Sequence, residues 1–506
     1  MKKIMTRLLS LVLLGAFIPS FVLAETWDLG KGDITVTATE TSQTVSQVNG
    51  ETKDDPDPVI TSSGKTENTV TINAETNATA NVTLENVNID TGTRGGAAIT
   101  TSGEGKVNIE LDGTNTVQSG NTHAGVEKKD NGTLTITDEN KDGSLTATGG
   151  NYGAGIGGGY EGSGSNIAIE GGKVKAIGGT HGAGIGGGFG GSGSNIAIEG
   201  GKVEASSVGG GAGIGGGSIG SGSGITVSGG EVTAQGGVGG AGIGGGQGGS
   251  GSNITISDGK VTATGAGAGA GIGGGYEGSG KGITIEGGEV TAQGDTGGAG
   301  IGGGISGTGS DVTISGDAQV KVQGGAADER WKEGAAIGNG GTRTTEGNEV
   351  SPNTSDLTVE GSIQIYEPGK NINTDTPDKT IEGQKGDHSW NAGEVTTAET
   401  VPESKAAAYW VSDSQGQSIP YQAQQKDGVL TVTVQADTAS IRGTTGSLRQ
   451  LEAQGITEIR FVTNGAESAC TLADLLASGT GSFTLTHDGD KVTFTLESTD
   501  ISGILK

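Results

Sequence analysis

Side chains able to do chemistry are few in this chain, and most recur in columns. Carboxylates stand at Glu161 and Glu277, and again at Glu170, Glu199 and Glu286. Glycoside hydrolysis needs two carboxyls roughly 5–10 Å apart, and neighbouring rungs of a stacked sheet, about 4.8 Å apart, would bring Glu170 and Glu199 that close. Glutamates in turns are ordinarily solvated groups, however, and that is the reading adopted here. His181 is a lone imidazole, too little by itself for a general base. Tyr160, Phe189 and Tyr276 recur at one loop position and offer flat apolar faces of the kind that stack on sugar rings, with Trp331 further along the chain. No catalytic or metal-ligating residue is assigned, and the three aromatics are the candidate binding positions.

Two glycine motifs need weighing. Gly153-Ala154-Gly155-Ile156-Gly157-Gly158 fits the dinucleotide pattern G-x-G-x-x-G, but that pattern works only between a strand and a helix, and here it recurs with no helical segment after it. Gly190-Gly191-Ser192-Gly193-Ser194-Asn195 is close to the calcium nonapeptide of toxin-type β-rolls, with Asn in place of Asp. Across the chain that position reads Asn166, Asn195, Gly224, Asn253, Gly282 and Asp311. Calcium needs several oxygen ligands, carboxylates among them, so a turn that tolerates left-handed backbone is the better account. No cofactor is expected, and calcium has only a faint footing.

The elements that would hold these residues follow from a period. Gly-Ala-Gly-Ile begins at Gly153, Gly182, Gly211, Gly240, Gly269 and Gly298, always 29 residues apart. Each unit carries three short segments, such as Ala154–Gly157, Asn166–Ile169 and Lys173–Ala176. In the second and third, apolar and polar residues alternate, the period-two signature of half-buried strands. The inward columns are Ile156, Ile185, Ile214, Ile243, Ile272 and Ile301, and Val174, Val203, Val232, Val261 and Val290. One unit cannot bury its apolar face alone, whereas stacked units form parallel sheets around a continuous core. Outward, Lys173, Lys202, Glu231, Lys260 and Glu289 form a column of mostly alternating charge. The threonines at Thr226, Thr255, Thr284 and Thr313 form another, which reads as outward strand surface. Degenerate coils near Ile99, Val126 and Ile337 extend the array. The expected fold is mainly β: a right-handed parallel β-helix of three strands per 29-residue coil and about nine coils, with a small C-terminal α+β module.

The expected organisation is a signal peptide over 1–24, an N-terminal β cap over 25–90, the repeat domain over 91–345, a cap or linker over 346–404 and the module over 405–506. Lys2, Lys3 and Arg7, an apolar stretch from Leu8, and Val22-Leu23-Ala24 before Glu25 mark a secretory leader cleaved after Ala24. In the module, strands are expected at Val429–Val432 and Ile459–Val462, helices at Ser447–Gln454 and Thr471–Ser478, and a hairpin about Asp488-Gly489. Glycine supplies 106 of 506 residues, aromatics 3%, and the net charge is −28. That charge argues against nucleic acid and anionic membrane as partners. With Cys470 alone, no intramolecular disulfide can form.

In Gly-Ala-Gly-Ile-Gly-Gly-Gly followed by strand pairs such as Lys260–Gly265, residues 25–345 resemble the repeat regions of large secreted and surface proteins of anaerobic gut bacteria. That group looks like the right-handed β-helix class shared with pectin lyases and carbohydrate-binding surface proteins. The resemblance implies glycan binding or adhesion, and the Asp clusters and basic catalytic residue of the pectin-cleaving enzymes have no match here. The leading expectation is a non-catalytic extracellular binding or adhesion protein, secreted or held non-covalently at the cell surface, whose partner is a glycan or another cell-surface component. The alternatives are a polysaccharide lyase or hydrolase on the same scaffold and a structural surface-layer component.

Overall fold

A computed structural model describes residues 24–342 apart from 49 and 51, then 357–359, 362–381 and, with short gaps, 409–505. Alternation along the chain becomes three long parallel sheets of 12, 11 and 13 strands. Within the array every strand pairs with its own copy one coil away. Ile156 faces Ile185, Ile167 faces Ile196, and Val174 faces Val203. The inward Ile and Val residues are buried and form one continuous core with flanking Ala residues such as Ala176 and Ala205. The parallel pairing and the three-sided coil fit a right-handed β-helix, the hand favoured for strand–crossover–strand connections.

From Ile156 onward the first strand of each coil is only Ile-Gly, as in Ile156–Gly157. Two facts make its glycine irreplaceable. Gly157 sits at φ +135°, and a Cβ built there would lie 2.0 Å from the carbonyl oxygen of Gly186 on the next rung. The same contact repeats at Gly186, Gly215, Gly244, Gly273 and Gly302. A side chain would therefore meet both a disfavoured backbone conformation and a neighbouring backbone.

The solenoid is longer than the nine coils expected, because the flanks read as cap and linker also coil. Thr26–Asp28, Val59–Thr61 and Thr79–Glu85 already belong to the 12-stranded sheet, and Ile34–Ala38 and Val70–Ala74 pair in parallel in the 13-stranded one. Only Gln43–Gln47 and Lys53–Asp54 run antiparallel and close that end. At the other end Leu357–Val359 and Ser362–Tyr366 add a further coil, which Lys379–Ile381 closes by antiparallel pairing. Twelve parallel strands at about 4.8 Å per rung span roughly 55 Å. These outer coils vary in length and lack Gly-Ala-Gly-Ile, so no fixed period exposes them.

From Tyr409 onward a separate core forms. A five-stranded antiparallel sheet and a four-stranded mixed sheet share one apolar cluster containing Phe461, Phe483, Phe494, Leu475 and Cys470. Strands Val429–Val434 and Glu458–Val462 lie side by side in parallel. Helix Leu472–Ala477 is capped by Thr471, whose Oγ1 accepts the Asp474 N–H at 3.0 Å. The hairpin of Ser482–Asp488 with Lys491–Leu496 turns at Gly489, φ +59°. Leu448, Leu451 and Glu452 are helical and Gly455 follows at φ +81°, while the expected cap Ser447 lies outside the described residues.

Candidate functional site

Two loops meet along one edge of the solenoid. The backbone N–H of Phe189 donates to the Tyr152 carbonyl at 2.8 Å, that of Ser218 to His181 at 2.8 Å, and that of Tyr276 to Gly239 at 2.7 Å. The loop after each Ile-Gly strand thus folds against the turn before that strand in the preceding coil. Two residue columns come to lie side by side: Tyr152 and His181 in one, Tyr160 and Phe189 in the other.

The four rings form one cluster. Tyr160 and Phe189 stack with centroids 5.7 Å apart and planes 13° from parallel. Tyr152 and His181 stack at 5.1 Å and 13°. The columns touch edge to face, Tyr152 with Tyr160 at 5.5 Å and with Phe189 at 5.9 Å, and His181 with Phe189 at 5.3 Å. Tyr160 is 47% exposed. The neighbouring Glu161 carboxylate, hydrogen-bonded to its hydroxyl, holds the phenol above its usual pKa and so keeps it protonated. Of the three aromatics picked from the sequence, Tyr160 and Phe189 are brought together. Tyr276 stands three coils on, roughly 14 Å along the axis, and packs edge to face with Trp331 at 6.2 Å.

Sequence reasoning misses Tyr152, and His181 stands out in the sequence only as an isolated imidazole. Positions 152 and 181 are one repeat apart, which could have paired them, but their contact with the other column depends on the loops folding back. Between the aromatic cluster and the Tyr276–Trp331 pair, the edge exposes Val208, Ile219 and Val238, at 67%, 62% and 64%. Ile219 is also a β-branched residue at φ +62°. The equivalent position is left-handed throughout the array, at Glu161, Gly190, Gly248, Glu277 and Ser306. An isoleucine there carries backbone strain of roughly 1–3 kcal/mol and exposes its side chain to water, two costs that core packing does not explain. Polar groups flank the aromatic end. Glu127, buried, accepts from His123 Nδ1 at 2.7 Å and from the Ala124 N–H at 3.2 Å. Its Oε2 would be 2.8 Å from a Cβ on Gly159, the residue before Tyr160.

A family model described as a beta helix repeat matches residues 141–160, 167–189, 196–218, 225–247, 254–276 and 283–305. The matched stretches all lie within the parallel β-helix. Every matched stretch ends on the loop column of Tyr160, Phe189 and Tyr276, so that column falls at one fixed place in the β-helix repeat. No curated protein and no solved structure matches the chain.

The other sequence candidates lie elsewhere on the β-helix. Glu170 and Glu199 are exposed, each directly after the paired strand residues Ile169 and Ile198. Asn166, Asn195, Asn253 and Asp311 all have φ between +51° and +56°, as a turn requires. Asn195 Nδ2 donates to Asn166 Oδ1 at 3.1 Å, and Asp311 pairs with Lys281 at 3.4 Å. Among the described residues no group of three or more His, Cys, Asp or Glu side chains is placed to hold a metal ion, and no helix is long and apolar enough to cross a membrane.

Proposed function

We propose that this β-helix is an extracellular, non-catalytic binding protein that takes carbohydrate on its aromatic edge. The observation that carries the reading is the exposed Tyr160 ring, held parallel to Phe189 and braced edge-on by Tyr152. Pyranose rings present C–H faces to such surfaces, and the protonated Tyr160 hydroxyl, Glu161 and His123 supply hydrogen-bonding groups beside them. The secretory leader read at residues 1–24 supports an extracellular location, and the rigid solenoid suits a stalk that displays the edge.

Retention of the full-length secreted chain on glycan arrays and insoluble polysaccharides tests this, with released sugar assayed in the same tubes. Binding without product is expected, and Tyr160→Ala and Phe189→Ala should each weaken it about fivefold or more. Released oligosaccharide would replace the reading with a lyase or hydrolase. Absence of binding together with self-association would favour a structural surface-layer role.

A further inference from the structure

At the N-terminal end of the solenoid lies a buried acid whose hydrogen-bond donors, among the described residues, are all uncharged. Thr26–Asp28 is the outermost strand of the 12-stranded sheet and Lys53–Asp54 that of the 13-stranded one. Asp55, which follows, is 0% exposed. Its Oδ2 accepts Trp27 Nε1 at 2.8 Å and the backbone N–H of Glu25 at 3.1 Å. Its Oδ1 accepts the Asp57 N–H at 3.3 Å, while its carbonyl takes Gln43 Nε2 at 3.0 Å. A buried carboxylate is costly unless a cation or several strong donors compensate it. The cation closest in sequence, Lys53, reaches outward, with its Nζ 2.7 Å from Glu25 Oε2 and 5.8 Å from the Trp27 ring centroid.

The nitrogen of Glu25 is also the atom that leader cleavage would change. Ala24 is exposed, and Val22 and Ala24 are the small residues that a signal peptidase reads. Water attacks the Ala24 carbonyl, the bond to the Glu25 nitrogen breaks, Ala24 leaves as a carboxylate, and the nitrogen takes up protons to become an α-ammonium. We propose that processing after Ala24 creates an α-ammonium at Glu25 that docks on buried Asp55, completing the N-terminal coil and joining the outer edges of two sheets. The contact, an amide N–H on a carboxylate before cleavage, becomes an ion pair between opposite charges and gains their Coulomb attraction. Among the described residues the ionisable groups beside it are the Glu25 carboxylate with its partner Lys53, and Asp57, whose backbone N–H donates to Asp55. The inference rests on the leader reading and is independent of glycan binding.

The test compares the exported chain with a full-length form bearing Gly-Ser ahead of Glu25, which keeps the amide but removes the charge. Intact mass should place the mature terminus at Glu25. Hydrogen exchange of the residue 26–28 amides at pH 7 should be roughly tenfold slower with the free terminus than with the extension. The docked amine has its pKa raised by Asp55, so the advantage should be full below about pH 8 and fade as pH rises through the raised value. It should vanish in Asp55→Asn. A mature terminus elsewhere, equal exchange in the free and extended forms, or an advantage that persists in Asp55→Asn would overturn the proposal. The free-versus-extended comparison needs no core substitution and so holds even where Asp55→Asn fails to fold.

Discussion

In the array from Gly153 to Gly302 nearly every inward residue packs on a copy of itself, Val227 between Ile198 and Ile256 being an exception: Ile185 lies between Ile156 and Ile214, and Val203 between Val174 and Val232. In the module after Tyr409 the core is a set of unlike shapes, with Phe483 and Phe494 meeting edge to face at 6.1 Å and Phe461 tilted against His487 at 4.8 Å. The array is assembled from translation, so its glycines matter as much as its apolar residues, because at positions such as Gly157 and Gly186 the next rung's backbone lies where a Cβ would be. The module is assembled from interlocking volumes, so its aromatic side chains carry the burden. Stability in the first is a sum of nearest-neighbour interfaces, and in the second a property of one cooperative core.

The sharpest way to break this contrast is Gly215→Val. Gly215 is at φ +133°, and a Cβ there would lie 2.0 Å from the Gly244 carbonyl oxygen. A β-branched side chain at that φ with that contact should cost about 5 kcal/mol, spread over adjacent coils. Chemical denaturation should show the solenoid transition displaced and the module transition unchanged. Phe461→Ala should do the reverse. Phe461 is fully buried, and its truncation should lower module stability by about 3–4 kcal/mol while leaving the solenoid in place. If either substitution moved both transitions together, the two cores would not be independent.

The contrast also explains what could be read in advance. Ile156, Val174 and their copies are legible because translation writes the same letter every 29 positions, and the helix beginning near Thr471 and the turn at Gly489 are legible because their signals are local. The coil that buries Trp27 and Leu29 is not, since Val70–Ala74 and Thr79–Glu85 keep the alternation while the loops around them change length. The aromatic site was half legible. Tyr160 and Phe189 share a column, but their packing against Tyr152 and His181 needs two loops of different coils to fold together, a tertiary fact with no short-range signature. Ile219 looks unremarkable as a letter and becomes informative only once its φ is known.

A pH titration sharpens the comparison further, because the module holds a buried histidine. His487 is 0% exposed between Thr463 Oγ1 at 3.0 Å and Ser468 Oγ at 3.1 Å. Burial pushes its pKa below the ordinary histidine value, outweighing a smaller opposing effect of the Ala466 backbone. The folded module therefore favours neutral His487, and the unfolded chain takes up the proton more readily. Its contribution is full above about pH 6.5 and is lost as pH falls from there through the depressed folded value, by at most about 1.4 kcal/mol per pH unit. The module's melting temperature should drop over that window, and His487→Gln should flatten the drop without altering the solenoid.

The smallest effect is expected on the outside of the array. Lys202 faces Glu231 across one rung with Nζ and Oε2 3.4 Å apart, and the two side chains are 48% and 51% exposed. Solvent and salt screen such a pair, so Lys202→Gln should change solenoid stability by less than about 0.5 kcal/mol, and less still at high salt. Yet the ladder bears on register. A coil slipped by one residue would turn Val203 outward and bring Lys202 in, and the apolar column already forbids that. If Lys202→Gln cost more than about 1 kcal/mol in denaturation, charge and not the Val column would be setting the register. A negligible cost would leave the Ile and Val columns, with the glycines that let them close, as what holds the rungs in place.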